Sequence, residues 1–224
     1  MAAPKPVKKV QNAVLYDNGW IKIENVRASH PHLDKPYKAP KDADNPKVIA
    51  KYSVTGLLSK KTHREAMQLC LEEINRICRE KKLMRIDEAG KERRTIKADA
   101  LFLRDGDEEG KAELAGNWTV SSRETNAPIL RKKVGGQAVN VERADAAQVF
   151  YGGCYVDVVI EPWAQNNEHG KRINSSLRMV MFRADGEAFG KGHVSEDDAD
   201  GILDVEDDGD GASGAAADED EDAL

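Results

Sequence analysis

Apolar and polar residues alternate at every second position through most of this chain, and they shift to a helical spacing once. In AVLYDNGWIKIENVRASH (13–30) a turn at Asp17-Asn18-Gly19 precedes Ile21, Ile23 and Val26 set between polar residues, which predicts a strand. Residues 31–47 hold four prolines among many charges, so a loop is expected there. A second strand is predicted over 48–59, where Tyr52, Val54 and Leu58 alternate with Lys51, Ser53 and Thr55. The pattern then changes. Met67, Cys70, Leu71, Ile74, Ile77 and Cys78 recur every three or four residues, behind a Thr62/Glu65 capping box. That spacing predicts a helix running to about Lys82, with its charged face in solvent.

After a charged, turn-rich stretch (84–116), strand signals return at 117–124, 147–165 and 173–186. The intervening 127–140 and 166–172 read as loops or hairpin ends with clustered cations. Gly152-Gly153, inside a strand pattern, predicts a bulge or sharp bend. One helix among five or six strands, with long loops, is the signature of a mainly β fold built as a small antiparallel barrel. In Val156, Val158 and Ile160 one face of a strand is apolar, with Tyr155, Asp157, Val159 and Glu161 opposite. In 173–183, Leu177, Met179 and Met181 share a face, and Arg178, Val180 and Phe182 the other.

Charge divides the chain further. The last thirty residues contain no Lys or Arg and hold 14 of the 40 acidic residues, which leaves 26 acidic against 34 basic residues in 1–194, a body of about +8. Such a segment, with Gly, Ala and Ser between the carboxylates, buries too little apolar surface to fold. The expected organisation is a flexible basic arm (1–12), a folded body (13–194) and a disordered acidic tail (195–224). No stretch of 18 apolar residues predicts a membrane span, and no apolar signal core follows the basic N-terminus, so a cytoplasmic location is expected. Three cysteines, an odd number, read as buried reduced thiols.

An enzyme would need a constellation of reactive groups, and none stands out. His30 and His32 have no second pair of ligands, the GKG at 190–192 lacks a phosphate-loop context, and DGDEEG (105–110) lacks calcium-loop spacing. No cofactor or metal is expected. Binding chemistry is better represented. Single-stranded nucleic acid needs cations along its phosphates and aromatic faces for its bases. Seven of the 12 aromatic residues fall at or after Trp118, interleaved with cations. The candidate nucleic-acid-binding residues are Lys51, Trp118, Arg123, Arg131, Lys132, Lys133, Tyr151, Tyr155, Lys171, Arg172, Arg178 and Phe182. An acidic tail tethered beside a cationic groove imitates a phosphate backbone and would compete for it. The alternative is a non-catalytic protein–protein adaptor or virion component, whose tail is the binding element.

The basic body, the single helix, YGGCYVDVVI (151–160) after NWTVSSRE (117–124), and the acidic end together resemble the phage single-stranded-DNA-binding proteins of the T7 type. The resemblance spans most of 14–192. It implies a five-stranded OB-like barrel with an inserted helix, DNA in a basic, aromatic-lined groove, and a role in phage DNA replication or recombination in the host bacterial cytoplasm. It also implies that the tail meets replication or recombination proteins, through Asp218, Glu219, Asp220, Glu221, Asp222 and Leu224. One departure is visible: the chain ends on aliphatic Ala223-Leu224, whereas the T7-type tail ends on an aromatic residue. A homodimer is compatible with the sequence.

Overall fold

In the computed structural model, residues 3–168 and 170–189 are described; the acidic tail residues, Asp218 to Asp222 and Leu224 among them, lie outside this range. The strands are β1 (Pro6–Val10), β2 (Ala13–Tyr16), β3 (Ile21–Tyr37), β4 (Lys51–Ser59), β5 (Met84–Ile86), β6 (Glu92–Arg94), β7 (Leu103–Asp105), β8 (Asn117–Glu124), β9 (Ile129–Val134), β10 (Gln137–Asn140), β11 (Tyr155–Asn167) and β12 (Gly170–Ala184). The helices are α1 (Arg64–Glu80) and the four-residue α2 (Ala146–Val149). Ten strands form one sheet in the order β10-β9-β12-β11-β3-β4-β8-β7, with β1 and β2 branching from β3.

The order of the named strands does not close, although a single parallel bridge from Leu101 to Ile173 touches β12, so the expected five-stranded closed barrel is corrected to a larger, open sheet. The sheet nevertheless curls. On the open side β8 meets β12 through side chains: the Ser122 and Ser175 hydroxyls are 2.9 Å apart, and Ser175 Oγ donates to the Ser121 carbonyl at 2.9 Å. The barrel miscount has a simple cause, since alternation reveals strands one at a time but not which edges pair.

The basic arm is also corrected. β1 pairs antiparallel with β2, and its turn docks on the start of α1. Gln11 N–H donates to Glu65 Oε2 (2.9 Å) and Asn12 Nδ2 donates to the Thr62 carbonyl (3.0 Å). Glu65 is therefore used against β1–β2 and not in a capping box. Thr62 Oγ1 lies 2.8 Å from His63 Nδ1, and the His63 N-cap makes no side-chain cap bond. Caps are worth about 1 kcal/mol, whereas each fully buried aliphatic side chain contributes about 1.5–3 kcal/mol. The stripe of Leu69, Cys70, Ile74, Ile77 and Cys78 decides the matter, since all of it enters the main core. At the other end Lys82 takes a left-handed φ of 56°, and Leu83 N–H returns to the Cys78 carbonyl at 2.7 Å, ending the helix without a glycine.

All three cysteines are free and buried. Burial pushes the Cys70 thiol up to about 12, with Glu73 adding to it, and burial lifts Cys154 to about 11. Neither thiol ionises at neutral pH, so both act as small apolar side chains.

Two further expectations change. The segment 31–37 extends β3, with register shifts between Ser29 and His32 and again between His32 and Tyr37. Prolines are tolerated at such irregular positions because no ladder donor is required there. In β12 a register shift leaves Arg178 between Leu177, opposite Ile160, and Met179, opposite Val159. Leu177 and Val180 are both buried as a result, and Phe182 packs toward the core while Arg178 faces the other way. Arg178 and Phe182 thus do not share a face.

Candidate nucleic-acid interface

The outer half of β3, together with β4 and β8, makes a polar floor. The register sets Ser29 beside Thr55 and Thr55 beside Ser121, then His32 beside Ser53 and Ser53 beside Arg123, then Tyr37 beside Lys51. Alternation explains this surface: Lys51, Ser53 and Thr55 point one way along β4, and Thr119, Ser121 and Arg123 do so along β8. The segment 38–49 forms one wall and residues 104–114 the other, enclosing a groove of about 680 Å³.

Six cations line it (Lys38, Lys47, Lys51, Arg104, Lys111 and Arg123) against three carboxylates, those of Asp42, Glu109 and Glu113. Arg104 is 3.4 Å from Glu109, and Glu109 also accepts from Thr119 Oγ1 at 3.0 Å. Glu113 lies 3.8 Å from His30. Lys38 Nζ donates to the carbonyls of Ala43 and Asn45, which shapes the 38–49 wall and leaves its charge uncancelled. Lys47, Lys51, Lys111 and Arg123 make no ion pair among the described residues, so the groove presents a surplus of positive charge.

The groove also carries a stack. The rings of His32 and Tyr37 lie with centroids 4.0 Å apart and planes 5° apart, and Tyr37 is 45% exposed. Burial, followed by the charge of His30, holds the His32 imidazole below its usual value despite Asp34. The ring is therefore neutral at pH 7, which suits flush stacking. Ile49, 65% exposed, adds apolar surface nearby. Cations for phosphates and an open ring face for bases are the two elements a single-strand binder requires.

Of the twelve residues picked from the sequence, Lys51 and Arg123 line this groove. Trp118 sits on the alternate face of β8, packed on the core, with the Lys60 ammonium 5.8 Å from its ring centroid. Phe182 packs on the core and meets Phe150 edge-on at 6.3 Å. Arg178 is held by Glu161 and by Glu124. Burial raises the Glu124 carboxyl, but hydrogen bonds from Thr125 and Ser176 and the Arg178 charge outweigh it, keeping it below the ordinary range. Tyr151 uses its hydroxyl on Asp185 and Gly186, and Tyr155 lies under Arg27, 5.9 Å from its ring centroid. Arg131, Lys132 and Lys133 belong to β9, and Lys171 and Arg172 to the tip of the β11–β12 hairpin. Neither group lines the groove.

Sequence reasoning missed His32, Tyr37, Lys38, Lys47, Arg104 and Lys111. A usable signal existed in HLDKPYK (32–38), where rings and cations alternate, but its prolines marked the segment as a loop.

The groove and its curled sheet define a polynucleotide-binding class in chemical terms, and comparison with known proteins supplies the family. Residues 20–211 match the model of the Enterobacter phage Enc34 ssDNA-binding protein. The single-stranded DNA-binding protein from bacteriophage Enc34, solved in complex with ssDNA, is 37% identical with a TM-score of 0.69, over 83% of this chain and 97% of that one. The "Putative protein p50" of Acyrthosiphon pisum secondary endosymbiont phage 1 is 33% identical over 93 residues, 42% of this chain. The match spans about half of that curated relative's length, 47%. The single-stranded DNA-binding protein encoded by bacteriophage T7 is more distant, at 18% identity and a TM-score of 0.45 over 87% of this chain and 98% of that one. The chain belongs to the Enc34 single-stranded-DNA-binding protein family. The family resemblance read from the sequence, to phage single-stranded-DNA-binding proteins, therefore holds.

Proposed function

We propose that this protein binds single-stranded DNA along the groove between β3, β4, β8 and the 38–49 wall, and protects it during phage DNA replication or recombination. The observation that carries this reading is the pairing of surplus cations with the His32–Tyr37 stack in one groove. Bases inside a duplex hide their faces, so only an unpaired strand can use Tyr37. The floor offers Ser and Thr hydroxyls in place of an array that reads base edges, which favours little sequence preference. The Enc34 relative's complex with ssDNA supports the same ligand. The curled, open sheet with α1 packed into its core is read as OB-like.

The acidic segment 195–224 is proposed to compete for the groove and to recruit replication or recombination proteins. Its 14 carboxylates face a body of about +8 and are tethered to it. Titration of fluorescent oligo-dT against duplex of equal length tests the first part. Tighter binding of oligo-dT at moderate salt is expected; equal affinity overturns the reading in favour of a non-catalytic adaptor or virion component. Deleting 195–224 is expected to tighten oligo-dT binding by about tenfold, the scale set by a tethered competitor at millimolar effective concentration. Unchanged or weaker binding would refute the competition.

A further inference from the structure

A second hollow, of about 290 Å³, lies outside the groove where the β5–β6 hairpin runs on into residues 95–97. Arg85, Arg94, Thr95, Ile96 and Lys97 line it. Positive charge is concentrated there against local cost. The hairpin register sets Arg85 directly opposite Arg93, and like charges in that position destabilise an antiparallel pair. Neighbouring cations are neutralised, Arg79 by Glu92 and Arg93 by Asp87. Arg93 is the main reason that the Asp87 carboxyl stays below its ordinary range, and Arg85 adds to the effect at longer range. Arg85 and Lys97 themselves make no ion pair among the described residues, and Arg94 donates to the neutral Asn75 Oδ1 at 2.7 Å. Three cations thus line one hollow, Arg85 from one face of the hairpin and Arg94 from the other, with no carboxylate among its lining residues.

The hollow is joined to the groove. From Lys97 a short turn (Ala98–Ala100) leads to Leu101, which bridges Ile173 in parallel. Arg172 Nη2 lies 3.5 Å from the Asp99 carbonyl. Two residues beyond Ile173, Ser175 is hydrogen-bonded to Ser122 and to the Ser121 carbonyl, and both of those residues line the groove beside Arg123. Buried packing through Ser122, Ser175, Ile173 and Leu101 thus ties the groove floor to the turn after Lys97, and Arg172 stands beside that turn. No aromatic ring lines the hollow, so it offers charge to a backbone and nothing for a base to stack on.

We infer that this hollow is a phosphate-binding subsite for the same polynucleotide strand, engaged only when the strand is long enough to leave the groove past Arg123. The inference rests on the proposed use of the groove by single-stranded DNA. A subsite of this kind adds to affinity and to salt dependence for long strands alone. Each phosphate contact on a single strand contributes about 0.7 to the slope of log K against log salt.

The test compares the full chain with the Arg85→Gln/Lys97→Gln variant, on oligo-dT of about 5 and about 25 nucleotides, lengths that bracket the site sizes of single-strand binding folds. Both positions are exposed, and equal melting temperatures check the fold. On the long strand the variant's salt slope is expected to fall by about 1.4. On the short strand it matches the parent. An equal loss on both lengths, or no loss on either, overturns the inference. Tighter binding of the long strand by the variant also overturns it, because it would make the acidic tail the natural occupant of the hollow. If the parent chain itself fails to prefer oligo-dT over duplex, the groove reading has failed first, which is a separate result.

Discussion

Reversing charge at Lys51 and Arg123 together is expected to weaken oligo-dT binding about a hundredfold at low salt and to lower the salt slope by about 1.4. These two residues stand on neighbouring strands of the groove floor. Arg123 is directly across from Ser53, and Lys51 is across from Tyr37. Both are exposed and neither makes an ion pair among the described residues, so the Lys51→Glu/Arg123→Glu variant breaks no internal interaction and the fold should survive. The effect combines loss of two phosphate contacts with repulsion by two new carboxylates beside the strand. Lys132→Glu/Lys133→Glu serves as the control, because β9 lies at the other end of the sheet order. That pair is expected to cost only a few-fold through net charge. Equal losses in the two variants, measured by anisotropy across a salt series, would mean that the strand does not follow the groove.

The second large effect concerns stability. Gly153 has a φ of 110°, and a Cβ there would sit 2.1 Å from the Glu187 carbonyl oxygen. Two stretches of backbone meet at this point. A Cβ added at Gly186 would likewise sit 2.3 Å from the Gly153 carbonyl oxygen, and Phe189 N–H donates to the Gly152 carbonyl at 2.8 Å. Arg27 stands over Phe189, 4.3 Å from the ring centroid, and Tyr151 Oη accepts from Gly186 N–H at 3.0 Å. Gly153→Ala is therefore expected to cost about 3 kcal/mol, from a strained φ and a backbone clash that loosens the 185–189 segment. At a few degrees per kcal/mol for a chain of this size, the melting temperature should fall by about 6–12 °C. Gly152→Ala provides the contrast. Its added Cβ would meet only Phe189 carbons at 3.8 Å, an ordinary contact, and a change within about 0.5 kcal/mol is expected. Similar melting temperatures for the two variants would refute the close approach.

Much of the secondary structure was legible in the residues, because period-2 and period-3.6 patterns report burial directly. The strand at 117–124 matches β8 at both ends, and the helix matches α1 within two residues at each end. The bend expected at Gly152-Gly153 appears as a turn before β11. What alternation cannot carry is pairing. It could not show that β9 runs parallel to β12, or that β3 serves β2 along its first half and β4 along its second. Nor could it show the irregularity at Arg178, which inverts the facing of everything after it in β12.

The candidate site was harder for the same reason. A search for aromatics among cations selects dense C-terminal stretches, yet Trp118 and Phe182 are needed by the core, and Arg178 by Glu124 and Glu161. The groove instead joins residues from β3, β4, β8 and two connecting segments, which only the folded register brings together. Lys51 was found because it alternates with apolar neighbours on a half-buried strand, and Arg123 as a cation among the aromatics that begin at Trp118. Tyr37 was lost to its prolines.

The claim that the strand lies in this groove is tested most directly by photocrosslinking. Full-length protein would be irradiated with oligo-dT carrying 5-iododeoxyuridine, and the adducts located by mass spectrometry. The account predicts crosslinks at Tyr37 and His32, lost in Tyr37→Ala. Crosslinks confined to Tyr155 or to Trp163, an exposed ring of β11, with none on β3, would contradict it.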